Sequence, residues 1–232
     1  MLDQVEKIDV IIVGASGGIG HALKAELAAQ PNFSSVESFD RQHFPEFDLT
    51  RPESFVPQFS EWQEQGRRFN LAIIATGALI IDGVPPERRF AELESANMAN
   101  HFALNAIGPA MMIQQLLPLM PRNDPAAIAA LSARVGSIED NQLGGWVSYR
   151  AAKTALNQII RTASIEWTRK NQESALLAIH PGTVDTRLTS GYAHPKKVSA
   201  EVAAKKILRT ILSAKPQMSG GFYDNEGQSI PF

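Results

Sequence analysis

Short runs of apolar residues recur along the chain, and a segment with helical spacing follows nearly every one. The clearest runs are IDVIIV, NLAIIATG, AAIAALSA and ALLAIHPG, while SVESFD and GGFYD are weaker examples. Runs without apolar–polar alternation are typical of strands that are buried on both faces of a parallel sheet. The pattern therefore predicts one α/β domain over residues 1–232. We expect a doubly wound parallel sheet of about seven strands, with helices on both faces.

Two helical segments stand out by their length. One covers Arg89 to Met120, and Pro109 inside it is expected to kink or break the helix, because proline lacks the backbone N–H. The other covers Ser148 to Arg169. Further helices are expected at IGHALKAELAAQ, at PESFVPQFSEWQEQ and from Ala200 to Ser213.

The composition argues against several classes of protein. The net charge is −2 and no basic run occurs, so no nucleic-acid partner is expected. The chain has no cysteine, which excludes disulfides and a thiol nucleophile and fits a reducing cytosol. The five histidines show no ligand spacing, so no metal is expected. The N-terminal segment lacks a secretory signature and its apolar run is too short for a membrane span, which favours a cytoplasmic protein without a membrane partner.

A glycine-rich turn, VGASGGIGHAL, lies between the first predicted strand and the first predicted helix. Glycine lets the backbone approach a diphosphate closely, and the helix N-terminus offers free N–H groups to its negative charge. A P-loop would need a Gly-Lys-Ser/Thr ending, which is absent. Glycine spacing alone is a weak signal, but its position in a strand–turn–helix unit favours dinucleotide binding. The predicted contacts are Gly14, Ser16, Gly17, Gly18, Ile19 and Gly20.

The end of the second predicted strand bears on the choice of cofactor. Asp40 lies about 20 residues beyond the turn, where a carboxylate accepts hydrogen bonds from the adenosine ribose hydroxyls and repels a 2′-phosphate. Arg41 next to it would do the opposite, although a solvated loop charge is an equal alternative for it. Since the turn itself has no basic residue, the sequence favours NAD and leaves NADP open.

Tyr149 and Lys153 lie four residues apart in the segment GGWVSYRAAKTAL. That spacing puts both side chains on one face of a helix. By itself the pair would fit an ordinary helix surface. Beside a dinucleotide site it becomes a candidate proton donor next to a cation that tunes it.

The motifs together resemble the short-chain dehydrogenase/reductase family, over nearly the whole chain. The glycine spacing G-x-x-x-G-x-G, the YRAAK pair, LNAIGP, FDLT and IHPGTVDT each match a family motif in the family's order. The combination of SARVGSI, YRAAKTALN and the closing GGFYDNEGQSIPF resembles the C-factor or sniffer-like carbonyl-reductase subgroup. The resemblance implies a single-domain Rossmann fold and an oxidoreductase that acts on a small carbonyl or alcohol.

The resemblance also implies roles for particular residues. Tyr149 would be the acid/base, Lys153 would lower the pKa of that tyrosine and hold the nicotinamide ribose, and Asn105 would fix a water that links Lys153 to solvent. Assembly as a homodimer or homotetramer is expected by analogy. Further predicted cofactor contacts are Asp48, Leu49, Ala75, Thr76, Gly77, Pro181, Gly182, Thr183, Val184 and Thr186.

Two departures from the family pattern stand out. IATG occupies the place of Asn-Asn-Ala-Gly, so only Gly77 matches, and a modest change in cofactor affinity is expected. The family's catalytic serine position holds Ala133. Ser132 is the preferred substitute, because it lies at the strand end, and Ser137 in the following loop is an alternative that could contact the substrate.

The segments around Tyr149 and after the ALLAIHPG strand are expected to shape the substrate site. Trp146, Leu188 and Tyr192 are the candidate contacts, the last two in a loop that is expected to act as a lid. A rival interpretation is a regulatory or signalling protein that binds the dinucleotide with little turnover. The substrate itself does not follow from the sequence, because one fold serves many chemistries.

Overall fold

The computed structural model describes residues 1–186 and 197–232. Its centre is a parallel sheet with the strand order β2-β1-β3-β4-β5-β6. The strands are β1 (Ile8–Val13), β2 (Phe33–Phe39), β3 (Leu71–Ile74), β4 (Ala126–Leu131), β5 (Ser174–His180) and β6 (Phe222–Asp224). The predicted α/β fold is confirmed: β3 and β4 are fully buried and β1 is buried except for Asp9, as the unalternating apolar runs require.

The described residues form six strands rather than the expected seven or so. β2 is an edge strand, because residues 41–51 form turns instead of a further strand beside it. Phe44 and Phe47 from these turns pack against Phe39 of β2, with ring centroids 4.3 and 4.8 Å from it. An aromatic cluster thus covers the place where another strand would lie.

Helices cover both faces of the sheet, as a doubly wound fold requires. They are α1 (Gly18–Ala28), α2 (Val56–Glu64), α3 (Ser95–Phe102), α4 (Gly108–Leu116), α5 (Val147–Lys170) and α6 (Ala200–Leu212). α1 and α6 bury apolar side chains on one face, and α2, α4 and α5 bury theirs on the other. α5 therefore lies over the carboxyl ends of β4 and β5, where ligands of such sheets bind.

The helix predicted from Arg89 to Met120 begins only at Ser95, after a 3₁₀ turn at Phe90–Glu92, and a π-helical turn interrupts it at Ala103–Ile107. The N–H of Gly108 donates to the carbonyl of Ala103, five residues back. Pro109 follows directly, and in an α-helix its ring would clash with the carbonyl of Asn105. The predicted break therefore takes the form of a widened turn just before the proline. The stretch Ser95–Leu119 is long and apolar enough to span a membrane by length and composition alone, and 44% of its most apolar window is buried within the fold.

Candidate active site

The turn after β1 forms a cradle of backbone atoms. Gly14 adopts a φ of +87°, and a Cβ there would lie 2.9 Å from Cγ2 of Thr76. The N–H of Gly17 donates to the carbonyl of Gly14 over 3.1 Å, and α1 begins at Gly18 without a side-chain cap. The first N–H groups of α1 are thus left for a ligand, which is the arrangement that binds phosphates.

A cavity of about 720 Å³ opens beside this cradle. Its walls include ten of the predicted cofactor contacts, namely Gly14, Ser16, Gly17, Asp40, Arg41, Asp48, Leu49, Ala75, Thr76 and Gly77. Side-chain oxygens of Ser38, Asp40 and Thr76 nearby are buried without a hydrogen-bond partner. Since buried polar groups are normally paired, these atoms fit a bound polar group such as a dinucleotide.

Asp40 is held by its own loop. Its Oδ1 accepts hydrogen bonds from the N–H groups of Gln42 and His43, at 2.9 and 3.2 Å, and lies 2.9 Å from Nδ1 of His43. Burial alone would raise the pKa of Asp40, but these hydrogen bonds outweigh it and hold the pKa below its usual value. Arg41 is exposed on the cavity wall, and none of the described acidic residues forms an ion pair with it.

Tyr149 and Lys153 lie side by side on α5, as predicted from their spacing. Both are buried, and Nζ of Lys153 lies 5.9 Å from the centroid of the Tyr149 ring. Nζ also donates a 3.0 Å hydrogen bond to the carbonyl of Leu131, at the end of β4. The pair lines a second cavity of about 120 Å³. Predicted contacts that share this cavity are Ile19, Ala75, Thr76, Gly77, Ser132, Pro181, Gly182, Val184 and Thr186.

In the protein without its cofactor, burial outweighs Lys153, and the predicted lowering of the tyrosine pKa beside a bound nicotinamide stays a prediction. Burial raises the pKa of Tyr149 above its ordinary value and lowers the pKa of Lys153 to about 8. Both shifts favour the neutral form, because desolvation penalises charge. Tyr149 is therefore a protonated phenol at neutral pH.

Three predicted cofactor contacts line neither cavity. Gly18 faces Thr186, whose Cγ2 would be 2.8 Å from a Cβ there. Gly20 packs against the carbonyl of Gly14, so it permits the tight turn. Thr183 accepts a 3.0 Å hydrogen bond from the N–H of Val198 through its own carbonyl.

Asn105 lies in the π-helical turn, and its amide group is held on both sides. Its Oδ1 accepts from the N–H of Ala78, and its Nδ2 donates to the carbonyl of Ala78, both at 3.0 Å. The other Nδ2 hydrogen therefore points to Nδ1 of His101, 3.2 Å away. This assigns the proton of neutral His101 to Nε2, which is buried without a partner. The predicted water contact of Asn105 stays a prediction.

His101 is fully buried next to Tyr149, with ring centroids 5.8 Å apart. Burial lowers its pKa. We refer to the buried polar residues where α3 and the π-helical turn after it face α5 as the α3–α5 seam. Its members are Asn97, His101, Asn105, Ser148, Tyr149 and Lys153.

Neither candidate serine has an unengaged hydroxyl. Ser132 donates a 2.7 Å hydrogen bond to Oδ1 of Asn157 on α5, so it can offer a substrate only acceptor capacity while that bond persists. Ser137 accepts a 3.0 Å hydrogen bond from the N–H of Asp140 and lines none of the three cavities described here. Ala133 lines the smaller cavity with a methyl group.

Trp146 precedes α5 with a left-handed φ of +52°. Its ring centroid lies 6.4 Å from that of Tyr149, and it lines a third cavity of about 300 Å³. Its predicted substrate contact stays a prediction. Leu188, Tyr192 and the lid predicted around them lie outside the described residues.

Comparison with known proteins identifies the family. The sequence model of a family described as enoyl-(acyl carrier protein) reductase matches residues 20–218. C-signal of Myxococcus xanthus is 31% identical over 141 residues, which cover 61% of this chain and 82% of C-signal. The chain belongs to the short-chain dehydrogenases/reductases. A further relative, 1-hydroxy-2-glutathionyl-2-methyl-3-butene dehydrogenase of Rhodococcus sp. (strain AD45), is 26% identical over 228 residues, 94% of this chain and 96% of that protein.

Solved structures of short-chain dehydrogenases/reductases share the fold. Carbonyl reductase Sniffer of D. melanogaster superposes with a TM-score of 0.81 at 20% identity, covering 97% of this chain and 100% of that one. The NADPH-bound carbonyl reductase from chicken fatty liver superposes with a TM-score of 0.82 at 21% identity, covering 99% and 96%. The family match over residues 20–218 confirms the predicted family, so the chain is an oxidoreductase, and the C-signal relative agrees with the predicted C-factor-like subgroup. The likeness to the two carbonyl reductases shows a shared fold.

Two residues of this short-chain dehydrogenase/reductase site were missed at the sequence level. Glu87 is a buried carboxylate against the first turn of α5, in a loop whose proline- and arginine-rich sequence gives no sign of it. His180 lines the smaller cavity, and burial lowers its pKa to about 4. Only the position of His180 at a strand end could have drawn attention to it.

Proposed function

We propose that the protein is an NADP(H)-dependent reductase that interconverts a small carbonyl compound and its alcohol. The observation that carries this proposal is the buried Tyr149–Lys153 pair in a cavity that shares Ala75, Thr76 and Gly77 with the cofactor-sized cavity. A proton donor and a hydride site are thereby brought to adjoining spaces. Family membership and the dehydrogenase relative support the same reaction class.

The residues present fit a nicotinamide dinucleotide. The N–H groups at the start of α1 would hold its diphosphate, and the partnerless oxygens near Asp40 and Thr76 would hydrogen-bond its adenosine side. Lys153 would hold the nicotinamide ribose from the smaller cavity. When bound, the cofactor supplies or accepts a hydride.

Tyr149 would give its proton to the carbonyl oxygen during reduction. Burial keeps the phenol protonated at neutral pH, so the hydroxyl can act as a general acid on an oxygen that gains negative charge. The ammonium of Lys153 stabilises the phenolate left behind, since opposite charges interact strongly in a dry site. In the oxidative direction the same groups would take the proton back.

Arg41 and Asp40 both bear on the choice of NADP(H). The sequence favoured NAD through Asp40, and that preference is unconfirmed. Oδ1 of Asp40 is engaged by Gln42 and His43, while its Oδ2 is without a partner and can still accept from a ribose hydroxyl. The choice of NADP(H) therefore rests on exposed Arg41, which can meet a 2′-phosphate at the cavity wall. The bound NADPH of the chicken liver reductase supports this choice.

A second candidate function is dinucleotide-dependent signalling with little turnover. Ala133 removes the second hydrogen-bond donor expected for the substrate oxygen, and the C-signal relative adds support. The buried Tyr149–Lys153 pair weighs against it, because binding alone needs no phenol in that cavity.

We further propose a cytoplasmic location and assembly as a homodimer or homotetramer through α3, α4 and α5. The small-molecule substrate would enter beside Tyr149. Neither nucleic acid nor a membrane is proposed as a partner, given the net charge of −2.

The test is the initial rate of NADPH and NADH oxidation by the purified protein with a panel of aldehydes, ketones, quinones and an enoyl thioester. Turnover of a carbonyl compound with NADPH in preference to NADH is the expected result. Turnover of the enoyl thioester alone would replace the carbonyl assignment. NADPH binding with no turnover across the panel would favour the signalling function.

A further inference from the structure

Glu87 is a buried carboxylate, 4% exposed, outside both cavities assigned to cofactor and chemistry. Its Oε1 accepts hydrogen bonds from Nδ2 of Asn97, at 3.1 Å, and from the hydroxyl of Ser148. Its Oε2 accepts from the N–H of Ser148 at 3.2 Å. Among residues 1–186 and 197–232, no cation forms an ion pair with it. Burying a carboxylate without a cationic partner costs free energy, so its position here calls for an explanation beyond packing.

These bonds hold the start of the helix that carries Tyr149. Trp146 provides no side-chain cap for α5, and its own N–H donates to the backbone carbonyl of Glu87 over 2.6 Å. Glu87 thus binds the chain at Trp146 and Ser148, with one backbone and one side-chain acceptor. A carboxylate at a helix N-terminus also interacts favourably with the helix dipole.

The position of this contact matters because Tyr149 is the next residue. Trp146 adopts a left-handed backbone conformation that is unfavourable for a bulky side chain and persists only where its surroundings enforce it. The ring of Tyr149 makes edge-to-face contacts with the rings of both Trp146 and His101. A shift of the first turn would therefore move the phenol relative to a substrate oxygen.

We infer that Glu87 is a positioning residue for the reaction: through Ser148 and Trp146 it fixes the first turn of α5 and hence the place of the Tyr149 hydroxyl. This inference rests on the proposed function. The cofactor cradle is formed by other segments, so Glu87 acts on the chemical step and leaves cofactor binding largely unchanged.

The test compares Glu87→Ala with Glu87→Gln and with Glu94→Ala as matched control. Glu94 lines the same third cavity, is exposed, and makes no side-chain capping bond. We expect Glu87→Ala to lower kcat by about 10- to 100-fold, because misplacing a reacting group by about 1 Å costs that much. Glutamine can still accept from the Ser148 N–H, so Glu87→Gln should recover to within about threefold of wild type. The Kd of NADPH should stay within about twofold in all three variants.

Amide hydrogen exchange gives a readout that needs no substrate. In Glu87→Ala, exchange should accelerate in residues 144–152 and stay unchanged in residues 158–170 of the same helix. Wild-type exchange and kcat in Glu87→Ala would overturn the inference. Faster exchange along the whole helix, with no recovery in Glu87→Gln, would also overturn it, since Glu87 would then only support the fold.

Two further variants keep the outcome decisive. Ser148→Ala removes the hydroxyl that donates to Glu87. It should show the faster amide exchange in residues 144–152 and part of the loss of kcat, and it can be measured even if Glu87→Ala does not fold. Wild-type behaviour of Ser148→Ala together with Glu87→Gln would contradict the inference. Tyr149→Phe is measured alongside. If Tyr149→Phe retains full turnover, the proposed function fails. If Tyr149→Phe loses turnover while Glu87→Ala behaves like wild type, only the role of Glu87 is refuted.

Discussion

The glycine cradle after β1 and the α3–α5 seam lie at the same end of the sheet, yet they differ in how far their buried polar atoms are hydrogen-bonded within the protein. Around the cradle, buried oxygens of Ser38, Asp40 and Thr76 lack protein partners. In the seam, Asn97, Asn105 and Ser148 are hydrogen-bonded within the protein, although Nε2 of His101 has no partner. The cradle is therefore completed by its ligand, whereas most of the seam is organised before any ligand arrives. Binding and chemistry should then respond to different substitutions.

Tyr149→Phe should lower the reaction rate, which depends on the seam, and leave NADPH binding in the cradle unchanged. We expect kcat to fall by about 10³-fold, because a positioned general acid contributes that much. The Kd of NADPH should change by less than about twofold, since the phenylalanine ring can keep the contacts with His101 and Trp146. Single-turnover hydride transfer and NADPH fluorescence titration measure the two quantities. A loss of NADPH affinity as large as the loss of rate would mean that the two regions are not separable.

Lys153→Met should change how the free energy of unfolding depends on pH, because Lys153 is buried in the seam. Burial lowers the pKa of folded Lys153 to about 8 from its ordinary 10.5, so between these values the unfolded chain binds a proton that the folded chain does not. The free energy of unfolding therefore gains from Lys153 as pH rises through this window, by up to about 3 kcal/mol. Above pH 10 the raised pKa of Tyr149 opposes the gain. Urea denaturation at several values from pH 7.5 to 9.5 measures this. Over that range the free energy of unfolding should rise by up to about 3 kcal/mol more in wild type than in Lys153→Met, and parallel pH profiles of the two proteins would refute the prediction.

Gly14→Ala should damage the cradle and spare the seam. The new Cβ would meet Cγ2 of Thr76 at 2.9 Å and the carbonyl oxygen of Ala75 at 3.3 Å, at a φ of +87°. Gly66→Ala is the matched control, because Gly66 has a φ of +71° and nothing within 4 Å of a Cβ. Both variants should lose about 1–2 kcal/mol of stability from the left-handed backbone. Only Gly14→Ala should raise the Kd of NADPH, by about 10- to 30-fold; equal affinities of the two variants would contradict the cradle assignment.

Arg41→Ala should sharpen the comparison within the cradle itself. Removing the guanidinium should raise the Kd of NADPH by about tenfold and leave that of NADH unchanged, since a charge-assisted contact to phosphate is lost. Arg122→Ala, at another exposed arginine, controls for a general change in charge. If NADH binds more tightly than NADPH in wild type, the proposed cofactor preference is wrong and Asp40 decides it.

The sequence carried most of the fold and the cradle, because both depend on local patterns. Unalternating apolar runs predicted the buried strands, and the position of Gly14 predicted a turn that only a small residue can make. The expectation of about seven strands is wrong for the described residues, which form six, and the six apolar runs quoted above account for them.

The seam was only half predictable for the same physical reason. Tyr149 and Lys153 are near in sequence and share a helix face, so their spacing revealed them. Glu87 contacts Ser148 across 61 residues, and the hydroxyl of Ser132 turns to Asn157 across 25. Contacts of that separation depend on tertiary packing and leave no mark on periodicity. The burial that raises the pKa of Tyr149 is likewise a property of the packed helices.

The widened turn at Ala103–Ile107 has a consequence for how the length of this chain can vary. A π-helical turn holds about one residue more than an α-helical turn for the same full rotation, so deleting one residue from this turn would leave an ordinary α-helix whose two flanks keep their relative orientation. His101 and the apolar side of α4 would then still face their present neighbours. Deleting one residue from α4 itself would instead rotate the rest of that helix by about 100°. The turn is therefore the place in this long helix where the loss of one residue disturbs the packing least.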